Sequence, residues 1–162
     1  MQIETTIIRK CYFAVLIFLL FSCGDNKTVW YENKSIQDCM WNKDNALVYT
    51  IPVEDTISMF SLSFNIRNRD DYNFQNLYLF VRTKAPNGGV TIDTVNYNIA
   101  NPDGSWTGKG GMFSKYSEND FMYRKYIRFP VKGNYTVSIR QGMREDNLKG
   151  IASVGLNLHT SL

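Results

Sequence analysis

The chain has 162 residues, and 18 Lys and Arg face 15 Asp and Glu for a net charge of +3. That balance excludes a nucleic-acid binder, which needs a concentrated basic surface, and gives no sign of an electrostatic membrane reader. A single histidine and three cysteines leave little material for metal or disulfide chemistry.

At the N-terminus, Arg9 and Lys10 precede an uncharged apolar run of 11 residues, Cys11 to Phe21. In a helix that run spans only ~16 Å, against the ~30 Å of a bilayer core, so it fits an export signal and not a membrane-spanning anchor. Leu20-Phe21-Ser22-Cys23 then matches a lipobox. Leu stands three residues before the cysteine, a small Ser sits at the cut, and the thiol is the group that receives diacylglycerol. Residues 1–22 are therefore expected to be a lipoprotein signal peptide and Cys23 the lipidation site. Residues 23–28 form the expected tether and 29–162 the folded domain. Two or more acyl chains on one residue hold a protein at a membrane. Asp25 lies one position late for inner-membrane retention, which favours the outer membrane, with the domain facing the periplasm or the cell surface.

Removing residues 1–22 takes away Glu4, Arg9 and Lys10 and leaves 140 residues with 16 basic and 14 acidic side chains, a net charge of +2. That length suits one domain. With Cys23 acylated, Cys39 has no partner in its own chain, so no disulfide framework forms, and Cys39 reads as a small buried apolar residue.

Along the domain, Asp38 to Asn45 can hold a short helical turn, and Leu47 to Val53 is a weak strand signal. Phe60, Leu62, Phe64 and Ile66 alternate with Ser61, Ser63, Asn65 and Arg67, one face apolar and one polar. Leu77 to Val81 is apolar on both sides, as in a strand buried on both faces. Val90 to Ile99 and Tyr123 to Phe129 are weaker runs. Tyr135-Val137-Ile139 and Val154-Leu156-Leu158 alternate cleanly again. Turn residues separate them at Asn87-Gly88-Gly89, Asn101-Pro102-Asp103-Gly104, Pro130 to Asn134 and Gly150. About eight such strands predict an all-β fold, a single antiparallel β-sandwich of jelly-roll type.

The longest break, Asn101 to Asp120, carries Trp106 among glycines and serines. A loop of that length is functional or mobile. Trp106 either stacks on a sugar or partner or folds back as a lid over the core. Gln141 to Gly155 holds the other distinctive segment, Arg144-Glu145-Asp146, which either closes the sandwich through ion pairs or forms a contact patch.

Catalytic groups are scarce. His159 stands near the C-terminus on the polar side of the last strand, which supplies neither a metal centre nor a triad by itself. The chain has no Gly-x-Ser-x-Gly elbow, no phosphate-binding glycine loop and no Cys-x-x-Cys. Carboxylates are available, but glycosidase chemistry needs two of them facing each other across a cleft. The expectation is a protein that is not an enzyme, with no cofactor and no metal.

Several stretches together resemble a known family. They are the lipobox, Phe64-Asn65-Ile66-Arg67-Asn68 followed by Tyr72 and Asn76-Leu77-Tyr78-Leu79-Phe80, and Asp93-Thr94-Val95 with Gly104-Ser105-Trp106-Thr107-Gly108-Lys109-Gly110. Above all there is Met143-Arg144-Glu145-Asp146, followed by Leu148-Lys149-Gly150-Ile151 and Val154-Gly155. From Cys23 to about Leu158 the chain resembles the gliding-motility lipoprotein GldH family. The resemblance implies a cell-envelope lipoprotein associated with the machinery that moves surface adhesins, and with the protein-secretion system linked to it. It supplies no catalytic residue, and its one residue role, the lipidated cysteine, falls on Cys23.

Two function classes follow. One is a non-enzymatic assembly or scaffold component that binds envelope proteins through a sandwich face or its loops, with Trp106, Arg144, Glu145 and Asp146 as candidate contacts. The other is a carbohydrate-binding module taking a glycan. Coplanar exposed aromatics in a groove would favour sugar, and an exposed apolar patch would favour protein.

Overall fold

The computed structural model describes residues 27–110 and 114–161, so the expected signal peptide and Cys23 lie outside the described residues. The described strands are β1 (Thr28–Ser35), β2 (Met40–Asn42), β3 (Leu47–Val53), β4 (Phe60–Arg69), β5 (Asn76–Lys84), β6 (Val90–Asn98), β7 (Tyr116–Ile127), β8 (Gly133–Gln141), β9 (Asn147–Lys149) and β10 (Ile151–Thr160). They form a first sheet β1-β10-β4-β7, a second sheet β3-β8-β5-β6 and a small ribbon β2-β9. Every pairing is antiparallel. The expected antiparallel sandwich is the fold.

The period-2 pattern explains the layers. Inward Leu62, Phe64 and Ile66 of β4 and Val154, Leu156 and Leu158 of β10 meet Tyr49 and Ile51 of β3, Leu77 and Leu79 of β5 and Val137 and Ile139 of β8 in one buried cluster. Burying each of these side chains contributes roughly 1.5–3 kcal/mol. Tyr49 spends its hydroxyl inside the core by donating to the Val154 carbonyl at 2.6 Å, so its polar end is satisfied. The ribbon closes one end of the core with Trp41 and Leu148, both fully buried, and the Trp41 indole N–H donates to the Asn45 carbonyl at 2.8 Å.

Where the two sheets meet at β6 and β7, aromatic rings form the seam. Tyr97 stacks on Phe121 with centroids 4.6 Å apart, and Phe64 on Tyr123 at 4.9 Å. Asp93 of β6 accepts hydrogen bonds from the Tyr123 hydroxyl and, at 2.6 Å, from the Arg124 guanidinium of β7. Those two donors, the tyrosine first, hold the Asp93 carboxyl below its ordinary range, while burial above all pushes the Tyr123 hydroxyl up to about 12. The clamp ties one sheet to the other.

Several expectations need correction. Leu77 to Val81 is buried on one face only, because outward Tyr78 and Phe80 are exposed. Cys39 is half-buried and sits at φ 53°, in a tight turn that a small side chain tolerates. The helical turn near it shrinks to a 3-10 turn at Gln37–Cys39, followed by β2 and a turn closed by the Asn45 N–H on the Asn42 carbonyl at 3.0 Å. β7 begins at Tyr116, which shortens the Trp106 loop. The first strand begins at Thr28, in a stretch whose alternation is broken by a bulge between Thr28 and Trp30.

Gly150 shows why the last hairpin requires glycine. It sits at φ +95°, and a Cβ there would lie 2.7 Å from the Tyr72 backbone.

Candidate functional site

The outward face of the second sheet takes one residue in two from each strand. β5 contributes Tyr78, Phe80, Arg82 and Lys84, β8 Thr136, Ser138 and Arg140, β3 Val48 and Thr50, and β6 Val90, Ile92, Thr94 and Asn96. Cross-strand register sets Phe80 between Thr94 and Arg140, and Arg82 between Ile92 and Ser138. Phe80 is 48% exposed and Ile92 71%, with Val48 and Tyr78 also exposed. No outward position of this sheet is a carboxylate, so the patch is apolar with a purely cationic flank at Arg82, Lys84 and Arg140.

Beyond β8 the chain runs directly against this patch. A Cβ on Gly142 would lie 3.1 Å from the Phe80 ring, and the Met143 sulfur accepts from the Tyr78 backbone N–H at 3.4 Å. Arg144, Glu145 and Asp146 follow, all exposed. The structure thus joins the Arg144–Asp146 segment to an aromatic patch that sequence reading had assigned to the core. Asp146 pairs with Lys43 at 2.6 Å, and the Lys43 N–H donates to the Asp146 carbonyl. Glu145 offers its carbonyl to the Gln141 amide at 2.6 Å. Among the described residues no carboxylate lies in salt-bridge range of Arg144. An arginine beside two acids in sequence is here not held by either, because the loop turns Asp146 toward the β2 ribbon. Trp106 is half-buried against the core, its ring 6.4 Å from that of Tyr72, and it bridges Ala100 just beyond β6.

The outward face of the first sheet is the opposite in kind. Thr28 and Tyr31 of β1, Asn157 and His159 of β10, Ser61, Ser63 and Asn65 of β4, and Glu118, Asp120 and Met122 of β7 line a groove of about 580 Å³. Its groups satisfy one another. The Asn65 amide donates at 2.8 Å to both Glu118 and Asp120, and His159 lies 2.9 Å from the Ser63 hydroxyl and 3.1 Å from that of Thr28. Burial first, then the two carboxylates, push the Tyr31 hydroxyl above its ordinary range. Tyr31 lies across Gly155, where a Cβ would meet its ring at 2.9 Å.

Ser63 and His159 form a nucleophile–base pair in distance, which no sequence spacing announced. A hydrolytic triad also needs a carboxylate on the second ring nitrogen and free N–H donors for an oxyanion. Here Thr28 takes that nitrogen, and β4 and β10, each paired on both sides, spend their N–H groups in the ladders. Glu118 and Asp120 stand side by side on one strand, not across a cleft. Among the described residues no three His, Cys, Asp or Glu side chains gather as metal ligands, and no helix is long and apolar enough to cross a membrane.

Fold and faces define an antiparallel β-sandwich that presents one apolar, cationic face and one polar groove. The chain belongs to the GldH lipoprotein family, whose model matches residues 28–158. It is 36% identical over 160 aligned positions to the gliding motility lipoprotein GldH homolog of Christiangramia forsetii, covering 92% of this chain and 96% of that relative. With the gliding motility lipoprotein GldH of Flavobacterium johnsoniae the identity is 37% over 147 positions, covering 86% and 89%. Among solved structures, the family GH115 4-O-methyl-α-glucuronidase BtGH115A aligns with 86% of this chain but only 18% of its own length, at 11% identity and a TM-score of 0.44. That likeness carries no functional argument.

Proposed function

We propose that this protein is a membrane-tethered, non-enzymatic assembly component of the cell envelope, associated with gliding motility and the protein-secretion machinery linked to it. On this reading residues 1–22 are removed as a signal peptide, and Cys23 carries the lipid that holds the domain at the outer membrane. The names of the two relatives support the motility association. The observation that carries the binding role is the patch of Tyr78 and Phe80 flanked by Arg82 and Arg140. Half-exposed aromatics add little to folding, and an apolar patch rimmed by one sign of charge suits a protein partner of opposite sign. The partner is accordingly an envelope protein with an acidic surface that meets Arg82 and Arg140, while Arg144 and the exposed Glu145 stand side by side at the edge of the patch.

A photo-crosslinker placed at Phe80 in the cell should capture one acidic envelope protein. Arg140→Glu should abolish the capture without moving the melting temperature. Equal capture from Phe80 and from Ser63, on the opposite face, would refute this assignment. A second reading, a glycan ligand, rests on the polar groove of the first sheet. Its serines, asparagines and carboxylates suit a hydroxyl-rich ligand, but Tyr31 is the one aromatic among its lining residues. Loss of sugar retention in Asp120→Ala would support it.

A further inference from the structure

All eight long strands place one set of ends together. Thr28, Val53, Phe60, Lys84, Val90, Ile127, Gly133 and Thr160 lie at the same end of the sandwich, as the pairings Thr28 with His159, Phe60 with Ile127 and Thr160, Val53 with Gly133 and Lys84 with Val90 require. Contacts across the sheets agree, since Phe60 meets Phe129 at 5.6 Å and Phe129 meets Tyr135 at 4.8 Å. The described chain also begins here, with the Lys27 carbonyl bound to the Thr160 N–H at 2.9 Å.

Among the described residues this end carries five exposed cations, Lys27, Lys84, Lys125, Arg128 and Lys132, against the two carboxylates Glu54 and Asp55. Arg124 is occupied by Asp93. Two strongly exposed apolar groups stand among the cations. Ile57, 80% exposed, tops the β3–β4 loop, and Asp55 orders that loop by accepting the N–H groups of Ile57 at 2.7 Å and Ser58 at 3.0 Å. Tyr126, 66% exposed, is thrown out of β7 at φ 53°, an unfavourable conformation for a bulky residue. At the opposite end, Asp38, Asp44, Asp70, Asp71, Asp103, Glu145 and Asp146 offset Lys43, Arg69, Lys109, Lys115, Arg144 and Lys149. The modest net charge of +3 conceals this polarity between the ends.

We infer that the end formed by Ile57, Tyr126 and these cations is a docking surface for an anionic phospholipid bilayer. The inference rests on Cys23 being the lipid-bearing residue. Three residues separate Cys23 from Lys27, a reach of roughly 14 Å at full extension. An anchored domain therefore holds this end within about two Debye lengths of the headgroups. An aliphatic tip and a tyrosine among lysines are the side-chain chemistry of an interface, with apolar groups entering the headgroup layer and cations meeting phosphate. The tether supplies proximity and this surface supplies orientation, so the patch around Phe80 faces sideways, along the membrane plane.

The test uses the full acylated chain reconstituted into vesicles of phosphatidylethanolamine and phosphatidylglycerol containing brominated lipid. A fluorophore is attached at Ile57→Cys, or at Asp103→Cys on the far end, in a Cys39→Ser background. Quenching is expected at position 57 and not at 103, and it should disappear when phosphatidylglycerol is replaced by phosphatidylcholine. Lys125→Glu with Arg128→Glu and Lys132→Glu should weaken docking by roughly a hundredfold, at about fivefold per cation, while the chain still floats with the vesicles. Tyr126→Ser is a second variant that leaves the charges intact and should reduce quenching. Equal quenching at both positions, none at either, or no response to the reversed cations overturns the docking surface. A chain that fails to float with vesicles at all overturns the lipid anchor instead.

Discussion

On β4 the outward residues Ser61, Ser63 and Asn65 are almost as buried as the inward ones, whereas on β5 the outward Tyr78 and Phe80 stand in water. Both strands are central in their sheets. The first sheet turns its polar side chains toward one another, so Asn65 and His159 find partners within the face. The second sheet leaves rings exposed, and their rim of arginines has no acid beside it on the same face. An internally satisfied face stabilises the fold and accepts a ligand only by exchanging hydrogen bonds. A face that exposes rings contributes little to folding and is free to bury them against something else.

Two phenylalanines give the sharpest way to break this comparison. Phe64→Ala should cost about 3–5 kcal/mol, because a fully buried ring leaves both a transfer loss and a cavity. Phe80→Ala should change stability by no more than about 1 kcal/mol. Equal losses in denaturant unfolding would mean that the second face is not free. Within the first face, Asn65→Ala should cost about 2 kcal/mol, or roughly 6–10 °C in melting temperature, since two adjacent carboxylates lose their shared donor. The same change should leave capture at Phe80 untouched.

The smallest effect concerns the seam that holds the faces in register. Asp93 has its carboxyl pKa lowered in the folded state, so its contribution is complete above the ordinary carboxylate value of about 3.9 and is lost as pH falls through the depressed one. Melting against pH should therefore drop less steeply in acid for Asp93→Asn than for the unaltered protein. Identical slopes would show that the clamp with Tyr123 and Arg124 adds nothing.

Strict alternation made β4, β8 and β10 legible in the sequence, because serine and asparagine cannot be mistaken for core. β5 was not legible in the same way, since an outward Phe80 has the same letter as an inward one and only the sheet's surroundings decide. β1 escaped because its bulge breaks the period and because the residues opposite Leu156 and Val154 are charged, Glu32 and Lys34, which pair with each other at 2.7 Å and leave no apolar stripe in the sequence. The groove was invisible for a different reason. Its residues come from four strands, and contacts such as Thr28 with His159 depend on register between segments 131 positions apart. Arg144, Glu145 and Asp146 stood out as a motif, but the ion pair one of them makes, Asp146 with Lys43, joins residues 103 positions apart.

The position of β1 has a mechanical meaning. It is an edge strand, bonded only to β10, and its first residue follows directly from Lys27, where the described residues begin. A load applied at Lys27 and resisted at the second sheet pulls β1 along its own axis. The rungs from Thr28 to Ser35 then share that load in shear and do not open one by one as a peeled strand would. Tension along β1 therefore falls where its hydrogen bonds act together.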